Sequence, residues 1–225
     1  MSNHHPVKGM ILDVDGTLVD SNDAHTHAWI DAMQEQGHQV AFETVRPLIG
    51  MGGDKVLPEV LHIEKDSEEG QKISERRKEI FKERYYSTVK AFPHTYELLQ
   101  HIHDQGQKMI IATSAEPEEL EKLLVLIGSD TKKFFLAQTT SKDAPQSKPD
   151  ADIMLAAIKR IQMDASQLVM IGDTAYDIQS ATKAGIATIA LRCGGWKDTD
   201  LQGSVAIYDD PADLLAHYSS SPLGR

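Results

Sequence analysis

An apolar run at Met10, Ile11 and Leu12 stops at two carboxylates, Asp13 and Asp15, and turns at Gly16. Such a run reads as a buried strand that delivers two acids to a sharp bend. In an open α/β sheet, ligands sit outside the carboxyl ends of the strands, so acids at that place can work on a bound group. An Asx turn would account for the same residues if the stretch stood alone. Beyond Phe92 and Pro93, however, apolar runs alternate with helical spacing. A helix over Thr95 to Gln105 precedes the strand MIIAT, and a helix from Pro117 to Gly128 precedes a short run, Phe134 to Ala137. A helix over Ala151 to Ile161, the strand LVMI, a helix over Ile178 to Ala184 and the strand ATIAL follow. The alternation predicts a parallel sheet with right-handed crossovers, a Rossmann-like α/β core flanked by helices.

One block interrupts it. Ala24, Ala28, Ile30, Ala32 and Met33 are spaced for a helix that ends at Gly37, a glycine-rich loop at Gly50, Gly52 and Gly53 leads into a short helix, and Ile73, Ile80, Phe81 and Tyr85 mark one face of a long one. No strand is expected from Asn22 to Lys90, and the dense charge from Glu64 onward reads as a solvated face. The expected division is a core of residues 1–17 and 91–225 with an inserted all-helical domain at 18–90. At 225 residues the chain has room for both. The Ser-rich tail, Ser219 to Ser221, is expected to fray.

Four of the five predicted strands lead to a group useful in phosphoryl transfer. The first offers Asp13 and Asp15, the second Ser114 with Thr113 as a competitor, and the fourth Asp173 and Asp177. Lys148 precedes a helix in the loop after the third strand; Lys142 is its rival but lacks the following proline. A carboxylate nucleophile splits hydrolysis of a phosphate ester into two easier steps. Its repulsion with a dianionic phosphate calls for a divalent cation and a fixed ammonium. Asp13 and Asp173 suit Mg²⁺, Lys148 supplies the ammonium, and the Ser114 hydroxyl and the backbone N–H groups of the Asp15 to Thr17 turn could take phosphate oxygens. Asp15 remains to protonate the leaving group and later to take a proton from water. A formal charge of −11 disfavours nucleic acid and anionic membranes as partners. A single cysteine, Cys193, read as a small buried hydrophobe, excludes an internal disulfide, and no apolar run reaches membrane-spanning length, so a cytoplasmic protein is expected. His4 and His5 are too few to read as a tag or a metal site.

With these residues in place, the chain resembles the haloacid dehalogenase superfamily over nearly its whole length, and in particular members with a helical cap such as phosphoglycolate phosphatase and β-phosphoglucomutase. The DxDGT motif falls at Asp13, Asp15, Gly16 and Thr17, the strand-end serine at Ser114, the lysine before proline at Lys148 and Pro149, and GDxxxD at Gly172, Asp173 and Asp177. The resemblance implies Mg²⁺, Asp13 as nucleophile, Asp15 as general acid and base, and phosphate contacts at Gly16, Thr17, Ser114, Ala115 and Lys148. It also implies a metal shell of Asp13, Asp173 and the main-chain carbonyl of Asp15, supported from behind by Asp177, and it places His25 near the entrance. Lys55 is the one cation of the glycine-rich loop that could face the site. The expected function is a Mg²⁺-dependent phosphatase for a small phosphorylated metabolite. A phosphomutase is the first alternative, less favoured because Glu116 and Glu118 follow Ser114 and only Lys55 stands near on the cap. A dehalogenase has no need of Asp15, and a binding protein without turnover has no need of a complete set.

Overall fold

The computed structural model describes residues 6–224; His4 and His5 lie outside them. In chain order the strands and helices are β1 (Gly9–Leu12), β2 (Val19–Asp20), α1 (Asn22–Glu35), α2 (Phe42–Val45), α3 (Gly53–Leu61), α4 (Glu68–Ile80), β3 (Lys90–Ala91), α5 (Thr95–Asp104) and β4 (Lys108–Ala112). There follow α6 (Pro117–Ile127), β5 (Ala137–Thr139), α7 (Asp152–Ile161), β6 (Leu168–Gly172), α8 (Ala175–Lys183), β7 (Ala187–Leu191), β8 (Ala206–Tyr208) and α9 (Pro211–Ala216). Six strands form a parallel sheet in the order β5-β4-β1-β6-β7-β8. β1 lies at the centre, and the chain first builds outward on its β4 side and then crosses to its β6 side. That reversal makes the end of β1 the topological switch point, where open α/β sheets bind ligands.

All four residues of β1 are buried because both faces of the sheet are covered. Met10 and Leu12 face one side with Leu98, Ile102 and Leu120, while Ile11 faces the other with Ile153, Met154 and Ala157 of α7. Opposite the sheet's end, α1 packs on α4 through Ala28, Trp29, Ala32 and Met33 against Ile73, Ile80 and Phe81. After Ile80 the helix widens into a π turn over Phe81–Tyr85.

Several expectations need correction. β3 begins at Lys90, inside the stretch expected to hold no strand, and pairs antiparallel with β2 through Val19–Ala91 and Asp20–Lys90. Two residues are too few to leave a periodic signal. The third strand starts at Ala137 instead of Phe134, because Thr131–Phe134 closes a 3₁₀ turn first. β8 and α9 lie beyond the alternation read from the sequence. The serine tail does not fray: Ser221 is fully buried, its hydroxyl donates to the Tyr218 carbonyl, and Leu223 joins the core. Cys193 is only partly buried, with Sγ 3.3 Å from the Gly16 carbonyl oxygen. Among the described residues no helix is long and apolar enough to cross a membrane.

Candidate active site

The N–H of Asp13 donates to the Ile171 carbonyl at 3.0 Å, which extends the β1–β6 ladder by one step and delivers Asp13 and Asp173 from adjacent strands. Asp177 arrives from the first turn of α8. One of its oxygens accepts from the backbone N–H and hydroxyl of Thr174 in a capping box, at 3.1 and 2.7 Å. The loop after β5 inserts Lys148, 1% exposed, whose Nζ stands 2.7 Å from Asp13 Oδ1 and 2.6 Å from Asp177 Oδ1. Lys142 is exposed and takes no part.

Burial and three neighbouring carboxylates push the Asp13 carboxyl well above its usual range, although Lys148 opposes the rise. Asp173 is pushed up to about 7 by burial and by Asp177, against hydrogen bonds from Asn22 and Thr17. Burial works against the Lys148 ammonium, yet Asp13 and Asp177 outweigh it and hold the amine above its ordinary value. Three buried carboxylates thus face one buried ammonium, and the imbalance favours a divalent cation. The ligand atoms of Asp13, Asp173 and Asp177 lie within 4.8 Å of one another, all hard oxygens of the kind Mg²⁺ takes. Gly16, at φ +75°, and Gly194 leave room for the Asp173 carboxylate that a Cβ at either position would overlap. The donor set therefore fits Mg²⁺, with Asp177 closer to the cluster than a purely supporting role suggests.

Asp15 turns the other way. Its Oδ1 accepts from the Ser21 hydroxyl at 2.5 Å and stands 2.9 Å from His25 Nε2. Burial opposes ionisation, but His25, Ser21 and Arg77 together hold the Asp15 carboxyl below the usual range. His25 is 4% exposed and stacks on Phe81 at 4.1 Å between ring centroids. Its Nε2 also lies 3.6 Å from Glu119, which Arg77 pairs at 3.3 Å.

Ser114 and Thr113 differ in their partners: Thr113 is fully buried and its hydroxyl accepts from the Ala115 N–H, whereas the Ser114 hydroxyl has no protein partner, and both residues border the cavity beside Asp13 and Asp15. The Gly16 and Thr17 amides do not fulfil the phosphate-binding expectation here. They donate to Val19 and Val14 within the turn, and the Thr17 hydroxyl donates to Asp173 at 2.9 Å. Lys55 departs from the expectation too. It grips Asp150 at 2.5 Å and the Ser147 carbonyl at 2.9 Å, on either side of Lys148, instead of facing the site. Sequence reasoning missed Asn22, which donates to Asp173 at 3.0 Å, and the pair Arg77 and Lys78, concealed in the run read as solvated. Nor is the acidic loop arranged as expected. α6 starts at Pro117, so Glu116 and Glu119 share the inner side while Glu118 points out to Lys122. Lys78 meets Glu116 at 2.6 Å.

The sequence profile described as haloacid dehalogenase-like hydrolase matches residues 10–191. The chain belongs to this family. It is 30% identical over 193 residues to the phosphoglycolate phosphatase of Pseudomonas savastanoi pv. phaseolicola, covering 83% of this chain and 70% of that protein. It is 28% identical over 197 residues to the phosphoglycolate phosphatase of Vibrio parahaemolyticus, covering 84% and 85%. Among solved structures, a hydrolase from Pseudomonas syringae superposes with a TM-score of 0.87 at 29% identity, over 96% of this chain and 99% of that one. In this haloacid dehalogenase-like hydrolase the residues of the four motifs converge at the end of the sheet.

Proposed function

We propose that this chain is a cytoplasmic, Mg²⁺-dependent phosphatase that hydrolyses a small phosphorylated metabolite through a phosphoryl group carried on Asp13. One observation carries the reading: Asp13 and Asp15, two residues apart, are turned into opposite electrostatic surroundings. Paired acids pushed apart in this way mark separate roles. Asp13 Oδ2 attacks phosphorus, and Lys148 holds its partner oxygen and offsets charge. The alkoxide leaves with a proton from Asp15. Water then attacks the phosphoryl group while Asp15 takes its proton, and Asp13 is freed.

His25 and Ser21 favour the carboxylate form of Asp15, the form required in the second step. A phosphate dianion beside it would raise its proton affinity by repulsion, which suits the first. Asp13, Asp173 and Asp177, with the main-chain carbonyl of Asp15 that the family resemblance adds, are the groups that would hold Mg²⁺. The bound ion supplies positive charge where Asp13 and the phosphoryl oxygens would otherwise repel. Residues 18–90 serve as the cap, docked across the site by Arg77 on one rim and Lys55 on the other, with the core formed by the rest. Ser114 binds a phosphoryl oxygen, and His25 orients Asp15.

The phosphomutase alternative gains cations it lacked on sequence, Arg77 and Lys78, but each is already matched to a glutamate. The test is phosphate release from a panel of monoesters with Mg²⁺. Release that stops in EDTA is expected. No release from any ester, or undiminished release in chelator, would refute the reading, and conversion of a sugar monophosphate to its isomer outpacing release would establish the mutase.

A further inference from the structure

Each oxygen of the Asp173 carboxylate accepts one hydrogen bond: Oδ1 from the Thr17 hydroxyl at 2.9 Å and Oδ2 from the Asn22 side-chain amide at 3.0 Å. Asn22 opens α1 and is buried. Its Nδ2 also donates, at 3.2 Å, to the carbonyl of Gly194 in the 3₁₀ turn that follows β7. That turn lies so close to Asp173 that a Cβ on Gly194 would overlap Oδ2. Where the carboxylate stands therefore depends on where Gly194 stands.

Arg46 holds Gly194 from the other side. Its Nη2 donates to the same carbonyl at 2.6 Å, and its Nε donates to Asp23 Oδ1 at 2.6 Å, in the residue next to Asn22. A ring closes: Asn22 and Arg46 converge on one carbonyl oxygen, whose two lone pairs they match, and Asp23 ties Arg46 back to the start of α1. The Asp23 side chain is 68% exposed, so as an ion pair its contact with Arg46 contributes little. The consequential contact is the one to Gly194, which reaches across 148 positions of sequence to a main-chain group packed on Asp173.

We propose that Asn22 and Arg46 are positioning residues for Asp173, Asn22 by direct contact and Arg46 through the Gly194 carbonyl. A side chain of the segment 18–90 thereby sets how well the carboxylates of the core hold a divalent cation. The inference rests on the Mg²⁺ part of the phosphatase reading. Its test is the Mg²⁺ dissociation constant of the full-length enzyme, from isothermal titration calorimetry without substrate, together with the melting temperature in EDTA. Asn22→Ala should raise the constant about ten-fold, the lower end of what loss of a group orienting a metal ligand commonly costs. Arg46→Met keeps the aliphatic stem and loses both donors, and should raise it about three-fold, less because it acts through an intermediary. Arg46→Lys retains a donor for the carbonyl and should recover most of that loss. A merely structural role would lower the melting temperature and leave the Mg²⁺ constant of the folded enzyme unchanged. Unchanged constants in Asn22→Ala and Arg46→Met would overturn the proposal, as would an equal loss in Arg46→Lys and Arg46→Met. If Asn22→Ala does not fold, Arg46→Met, altered at a partly exposed site, decides by the same criterion. A wild-type enzyme that binds no Mg²⁺ would instead contradict the metal-dependent reading itself, and the proposal with it.

Discussion

At the end of the sheet Lys148 is sealed from solvent and shared by Asp13 and Asp177, groups of one core. Across the seam Arg77 and Lys78 lie partly exposed, and each answers a glutamate on the opposite side. Buried charges of the first kind hold one another in place, and removing one partner leaves others uncompensated at a cost of about 3–5 kcal/mol. Of the second kind, Lys78 with Glu116 is hydrated and contributes about 0–1 kcal/mol, whereas Arg77 and Glu119, 17% and 15% exposed, are more shielded. The difference separates two tasks. The buried cluster holds Asp13, Lys148 and Asp177 to one another, with Ser21, Asn22 and His25 steadying Asp15 and Asp173, while the rim pairs tie α4 to α6 and the residue before it.

The contrast can be broken most severely at Asp13. Asp13→Asn keeps the side-chain shape but removes the nucleophile, and turnover should fall by at least about a thousand-fold against the ~10⁶-fold or larger accelerations usual for enzymes. Steady-state assays that retain more than about a thousandth of wild-type activity would contradict the role.

A smaller effect, still within the core, concerns protons. Asp173 lies at about 7 against an ordinary 3.8, so between these values the folded chain holds a proton that the unfolded chain releases. Asp13 is shifted in the same direction, and the cluster titrates as a unit. Metal-free stability from this source is therefore fully present below 3.8 and lost as pH rises to about 7. Asp15, shifted downward, has the opposite slope, but below its ordinary value. Thermal melts in EDTA should show the melting temperature falling through that window, and Mg²⁺ should restore it at the upper end by replacing the protons. A rise through the window in chelator would show that the carboxylates are not crowded as described.

The smallest effect belongs to the seam. Lys55→Ala should lower kcat/KM only a few-fold, in keeping with an exposed pair, and Lys55→Arg should recover most of it. Because Lys55 and Asp150 meet in one contact, a double-mutant cycle with Asp150→Ala, which also gives up the Lys183 pair, should show the two losses to be less than additive. Additive losses would mean that the two residues do not act through each other.

The same contrast decides what was legible in the sequence. Asp13, Ser114, Lys148 and Asp173 sit at the ends of apolar runs or just before helices, so local pattern alone marks them, and the alternation of runs gave the parallel sheet. The cap residues have no such mark. Arg77 is one charge among many in α4, and its partner Glu119 lies 42 positions away on α6. Lys55 looked available because its loop is glycine-rich, yet Gly52 is there because Ser147 packs where a Cβ would fall. That close approach brings Lys55 to Asp150, and nothing in either segment announces the other. β2 and β3 escaped for a simpler reason, since a two-residue ribbon has no period to detect.

The central claim is that the two acids of the first motif divide the chemistry, Asp13 carrying the phosphoryl group and Asp15 the proton. The most direct test is a single-turnover reaction with enzyme in excess over an aryl phosphate, quenched in acid within milliseconds and followed by peptide sequencing in a mass spectrometer. Phosphate retained on Asp13, appearing before inorganic phosphate and then decaying into it, is the predicted result. Phosphate on Asp15, or its release at the full single-turnover rate with no phosphorylated peptide at any time, would contradict it.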